Sequence, residues 1–98
     1  MDEAKTKDTI QRHAAAVEQG DFDTVIGDLS KELQPQAATI AQTLPQPVNS
    51  AKVLSVDFGE AECVARIHYA GDTSAVTIQS HWQDIGGTPK IVHAGPVD

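Results

Sequence analysis

The stretch AKVLSVDFGEAECVARIHYAGDTSAVTIQSHWQDIGGTPKIVHA, residues 51–94, contains four runs in which apolar and polar residues alternate, separated by turns at Gly59-Glu60, Gly71-Asp72 and Gly86-Gly87. Alternation of that kind marks strands with one buried face. Glycine at the first central position suits a two-residue type II′ hairpin. The reading is an antiparallel meander of four strands over about residues 50–95.

Two-residue turns fix register, and register fixes which side chains share a face. Around Gly71-Asp72, Ile67 then pairs with Val76, Ala65 with Ile78, Cys63 with Ser80 and Ala61 with Trp82 on the inner face. Arg66 meets Thr77, Val64 meets Gln79 and Glu62 meets His81 on the outer face. The first hairpin sends Phe58, Val56 and Leu54 inward, and the last sets Ile91 beside Trp82 and His93 beside Ser80, with Val92 and Ala94 pointing away.

Helical periodicity precedes the sheet. Asp8 caps a first helix whose Ile10, Ala14 and Val17 lie on one face up to Gln19-Gly20. Asp21 caps a second, with Phe22, Val25, Ile26, Leu29 and Leu33 as its apolar stripe. Pro35 suits the first turn of a third, which runs through Ala37, Ala38, Ile40, Ala41 and Leu44 until Pro45 and Pro47 end it. The expectation is an α+β fold: helices over about residues 6–44 packed on a curved four-stranded sheet, with residues 1–98 forming one domain.

Composition narrows the function classes. Asp and Glu number 14 against 7 Lys and Arg, a net charge of −7. Without a basic stripe the chain has nothing to hold nucleic acid or an anionic membrane. The opening MDEAKTKD is charged and no run is long and apolar enough to span a bilayer, so the expectation is a soluble, cytoplasmic protein. The lone Cys63 excludes an intramolecular disulfide.

Two phrases carry a family resemblance. Glu18-Gln19-Gly20-Asp21-Phe22-Asp23, opening the second helix, and the closing run from Trp82-Gln83-Asp84-Ile85 through Gly86-Gly87-Thr88-Pro89 to Lys90-Ile91-Val92-His93 resemble the nuclear transport factor 2-like superfamily, its SnoaL-like members above all. The resemblance implies a curved sheet wrapped around helices, a cystatin-like cone with a pocket at its wide end, and a convex surface often used for dimers. Departures limit what is carried over. Residues 33–44 read as helix where family members place a strand pair, which reduces the cone to four strands. The first helix lacks the Tyr, and the inner face the carboxylates, of the steroid isomerase branch. Arg66 falls on the outer face, where the epoxide hydrolase branch needs interior Asp and Arg pairs. No catalytic set matches residue by residue.

Read from the pairing alone, Cys63, Ser80 and His93 form a polar row across the inner face. Cys63 and His93 would stand two strands apart, about 9–10 Å. A nucleophile and base need hydrogen-bond reach and an orienting group, so the row reads first as packing, with small Cys63, Ser80 and Ala65 letting an Ala-rich helix approach and His93 bonding a backbone carbonyl, and second as pocket lining. The pocket candidates are His93, Ser80, Cys63, Tyr69 at a strand end by the hairpin with its hydroxyl in reach of solvent or the cavity mouth, His13 one position off the first helix's stripe, and Trp82, whose ring fills the core. On the outer face Asp57, Glu62 and His81 have the atoms of a metal site but read as cross-strand pairs, and His68 as a surface residue. No metal or cofactor is expected. The function expected is the binding of a small apolar or hydroxylated molecule in the cone. The alternative is a homodimeric interaction protein using the outer face, with Val53, Val64, Val92, Thr77, Gln79 and His81; the third reading is a SnoaL-like isomerase or cyclase.

Overall fold

The computed structural model describes residues 1–97. Helix α1 spans Glu3–Gln19, α2 Phe22–Gly27, and α3 Ala37–Ala41, the last preceded by a 3-10 turn over Gln34–Gln36. Strands β1 Ser50–Phe58, β2 Cys63–Ala70, β3 Ala75–Ile85 and β4 Thr88–Val97 form one antiparallel sheet in the order β1-β2-β3-β4. The α+β class and the four-stranded meander agree with the sequence.

α1 begins five residues before the expected Asp8 position. Asp2 is the cap: its carboxylate accepts from the Lys5 backbone N–H at 3.0 Å. Asp8 instead pairs with Arg12 one turn on. At the far end Gly20 takes φ 74°, its N–H donates to Val17 O, and Asp21 N–H donates back to Ala16 O, which satisfies the last carbonyls and turns the chain. The buried stripe Thr6, Ile10, His13, Ala14 and Val17 follows the spacing of one helical face. α1 is tied at both ends: Lys5 Nζ donates to Gly87 O, and Ala51 N–H donates to the Glu18 carboxylate at 3.0 Å.

α2 is shorter than its apolar stripe suggests, because residues 28–30 leave it to pair with β4. Ile91 N–H donates to Asp28 O at 2.8 Å and Ser30 N–H to Ile91 O at 2.7 Å, a parallel bridge centred on Leu29. Leu29 and Leu33 are buried in the core, but from this hook and the turn after it. Lys90 Nζ donates to Gly27 O and closes the helix end. The third helix is likewise shorter than expected, ending at Ala41 ahead of Pro45.

Two of the three hairpins are wider than two residues. Phe58 pairs with Cys63 and Ala70 with Ala75, so four residues separate the strands at each turn, with Gly59 N–H donating to Glu62 O and Gly71 N–H to Ser74 O inside them, both at 2.8 Å. The pairs are therefore Ile67 with Ile78, Ala65 with Ser80 and Cys63 with Trp82, each two places from the expected partner. A shift of two leaves every side chain on its face, and Cys63, Ala65, Ile67, Ile78, Ser80 and Trp82 are all buried. The glycines had another purpose: a Cβ on Gly71 would lie 2.6 Å from both Pro45 Cβ and Pro47 O. Only Gly86-Gly87 forms a two-residue turn, with φ 63° and 85°, and positive φ at both positions makes it type I′ in place of the expected II′.

Two β-bulges invert part of the expected facing. In β1 the register slips at Leu54, which is 52% exposed, and Val53 and Ala51 turn toward the core opposite Ile67 and Tyr69. In β4 it slips at Val92, so Ala94 lies opposite Ser80 and His93 lies opposite His81 on the outer face. One extra residue reverses the alternation beyond it. Leu54 inward, Val53 outward, His93 inward and Ala94 outward are all corrected by these two slips.

Candidate functional site

A cavity of about 590 Å³ separates the helical segment from the inner face of the sheet. Its floor is Ile67 and Tyr69 of β2, Ile78 and Ser80 of β3, and Ile91 and Ala94 of β4. α1 contributes His13 and Val17. The mouth carries Phe22 and Ile26 of α2, 41% and 39% exposed, and residues between Gln34 and Gln46 roof the space with Ala37, Ala38, Ile40 and Leu44. This is the size and apolar character of a small-ligand site. Among the described residues, no Asp, Glu, Lys or Arg lines it.

The polar lining of the cavity includes His13 on α1, Ser80 on β3 and Tyr69 on β2. His13 is buried, its ring edge-on to Trp82 with centroids 5.4 Å apart, and its Nδ1 lies 2.9 Å from Asp28 Oδ2. A carboxylate can only accept, so Nδ1 carries a proton, and in the neutral form of the imidazole the lone pair then lies on Nε2. Asp28 is positioned by the backbone pairing that anchors residues 28–30 to Ile91. Trp82 is fully buried, and its Nε1–H donates to Ser80 Oγ at 2.9 Å, leaving the Ser80 hydroxyl hydrogen free to donate elsewhere. Tyr69 lies opposite Val76 on β3 and Ala51 on β1, and burial pushes its phenol well above the ordinary range, so the hydroxyl stays protonated. Among the described residues, no side-chain N or O atom closed off from solvent lacks a hydrogen-bond partner. His13 Nε2 and the Tyr69 hydroxyl have no protein partner, so both open onto the cavity that their residues line.

Of the residues singled out from sequence, Ser80, Tyr69 and His13 meet in this cavity. Trp82 and Cys63 lie buried behind it, with Trp82 holding both His13 and Ser80. Cys63 pairs with Trp82 and Phe58, and burial pushes its thiol up, aided by Asp57 and Glu3 and opposed by Lys7. His93 is exposed on the other side of the sheet, its ring 5.4 Å from that of His81, because the Val92 bulge turns it outward. The row of Cys63, Ser80 and His93 therefore does not exist. Asp28 escaped notice, since the helical stripe of Phe22 to Leu33 gave it no role, and only the hook to β4 brings it to His13.

The outer face pairs its polar groups across strands. His81 Nδ1 lies 3.0 Å from Glu62 Oε2, Arg66 Nε donates to Gln79 Oε1 at 3.0 Å, and His68 Nδ1 lies 3.2 Å from Thr77 Oγ1. Asp57 sits opposite Val64, away from the Glu62 and His81 pair, and no group of three metal-binding side chains occurs among the described residues.

No protein-family model matches the chain, and no curated protein matches it. Among solved structures it is similar to a SEC-C motif containing protein from Rhodopseudomonas palustris, with a TM-score of 0.68 at 13% identity over 92% of this chain and 77% of that one. At that identity the likeness is one of fold. No helix is long and apolar enough to cross a membrane among the described residues.

Proposed function

We propose that this protein binds a small, mainly apolar molecule in the space between helices and sheet, and that its architecture is a reduced cone of the nuclear transport factor 2-like kind. One observation carries the reading: an apolar cavity of about 590 Å³ on which unpartnered polar atoms of His13 and Tyr69 open together with Ser80. A chain that only needed a core would gain stability by filling this volume, since unfilled apolar space forfeits dispersion contacts. The wide roof of small residues, Ala37, Ala38 and Ala41, keeps it open.

N-phenyl-1-naphthylamine, a neutral apolar fluorophore, tests the proposal, because Trp82 is the single tryptophan and lies directly behind the cavity wall. Binding should saturate at one probe per chain with energy transfer from Trp82. Ala94→Phe, which fills the floor, should weaken it about tenfold or more without lowering the melting temperature, a loss on the scale of burying one large side chain. Binding indifferent to Ala94→Phe, or with no energy transfer, would place the probe elsewhere and defeat the reading.

A further inference from the structure

We infer that the molecule this cavity takes is neutral and carries a hydroxyl group whose hydrogen is donated to His13 Nε2. The inference rests on the binding function proposed above and adds the chemical class of the ligand.

Charge is decided by the lining. Among the described residues no Asp, Glu, Lys or Arg faces the cavity, so a ligand ion would be desolvated without a counter-ion from them, at a cost that drives such groups to neutrality or keeps them out. A carboxylate would in addition approach Asp28, which stands 2.9 Å behind the imidazole, inside a protein of net charge −7.

Polarity is decided by the tautomer. The Asp28 carboxylate requires a proton on Nδ1, and in the neutral form of the ring this leaves Nε2 as an acceptor with no protein donor among the described residues. The neighbouring Ser80 supports the match, since the Trp82 indole, against which His13 packs, occupies one lone pair of Ser80 and leaves its O–H as a donor. A ligand hydroxyl can donate to Nε2, whereas a ketone or ether oxygen leaves Nε2 unpaired in an apolar site, which is the costly omission. An alcohol or phenol on an apolar ring system makes that pair.

Titration calorimetry with naphthalene, 2-naphthol and 2-methoxynaphthalene separates the possibilities, because all three carry the same apolar body. On wild-type protein 2-naphthol should bind about tenfold tighter than 2-methoxynaphthalene, the usual penalty for an unmet buried hydrogen bond. His13→Leu, which removes the acceptor and keeps an apolar side chain, should bring that ratio close to one while naphthalene still binds. Equal affinities for 2-naphthol and 2-methoxynaphthalene on the wild type would overturn the inference and leave the binding function standing, as would a preference that survives His13→Leu. Failure of all three compounds, together with failure of N-phenyl-1-naphthylamine, would overturn both.

Discussion

Gly71→Ala tests how the roof of the cavity is joined to the sheet. Gly71 opens the β2–β3 loop directly beneath the Pro45–Pro47 segment, and an added Cβ would come 2.6 Å from both Pro45 Cβ and Pro47 O. Carbon atoms in contact normally sit about 3.5–4.0 Å apart, so the segment must lift by about 1 Å. One of the two obstacles is backbone and the other a proline ring, neither of which can swing aside. Overpacking of this kind costs about 1–3 kcal/mol. In a domain of this size, at about 4–8 °C per kcal/mol, the melting temperature should fall by about 4–24 °C. Gln46, which lines the cavity, belongs to the displaced segment and Leu44, also in the lining, adjoins it, so binding of N-phenyl-1-naphthylamine should weaken in parallel. Gly95→Ala is the control, since a Cβ there meets nothing within 4 Å and the backbone is an ordinary strand. Urea unfolding of the two variants gives the comparison. A Gly71→Ala midpoint no lower than that of Gly95→Ala would refute the claim that this glycine is needed for close approach.

Two further outcomes follow from buried groups. Tyr69 is the single tyrosine, and its pKa in the folded protein is raised by burial, so the stability it lends is complete below its ordinary value of about 10 and is lost as pH rises toward the folded value; tyrosinate absorbance should stay absent on passing that pH and emerge together with loss of circular dichroism, and an ordinary titration in an intact fold would count against the burial described. The Cys63 thiol is fully buried with its pKa raised by desolvation first and then by Asp57 and Glu3; it should resist a thiol reagent such as dithionitrobenzoate until urea unfolds the chain, and rapid labelling of native protein would show the strand-to-helix packing to be open.

The inner face of β2 and β3 was legible in sequence even though the turn between them was misjudged. Reading Gly71-Asp72 as a two-residue loop displaced the pairing by two, an even number, and an even displacement leaves Ile67, Ile78 and Trp82 pointing the same way. The errors with consequences were odd. Leu54 and Val92 each add one residue to a strand, and neither is a glycine or proline that would announce a bulge. Both look like ordinary members of an alternating run. Of the site, Ser80 and Tyr69 were accessible to pattern reasoning because each follows strand alternation, and His13 because it adjoins the stripe of Ile10, Ala14 and Val17. The His13 and Asp28 pair was not, because it depends on α2 stopping at Gly27 so that residues 28–30 can pair with Ile91. That is a contact between ends of the chain more than sixty residues apart, and local propensity has no access to it.

The bulge at Val92 makes the polarity of the cavity a matter of counting. With Val92 in place, Ala94 presents a methyl group to the floor and His93 faces water. Drawing Val92 into the ladder opposite His81, with no residue removed, would carry the imidazole of His93 to the cavity opposite Ser80 and return the methyl to the outside, with no side chain chemically altered. Relatives of this chain whose β4 pairs without the bulge would thus have floors of opposite character while their aligned sequences looked alike. Loss or gain of that bulge, more than substitution on the floor, is where ligand preference in this fold would diverge.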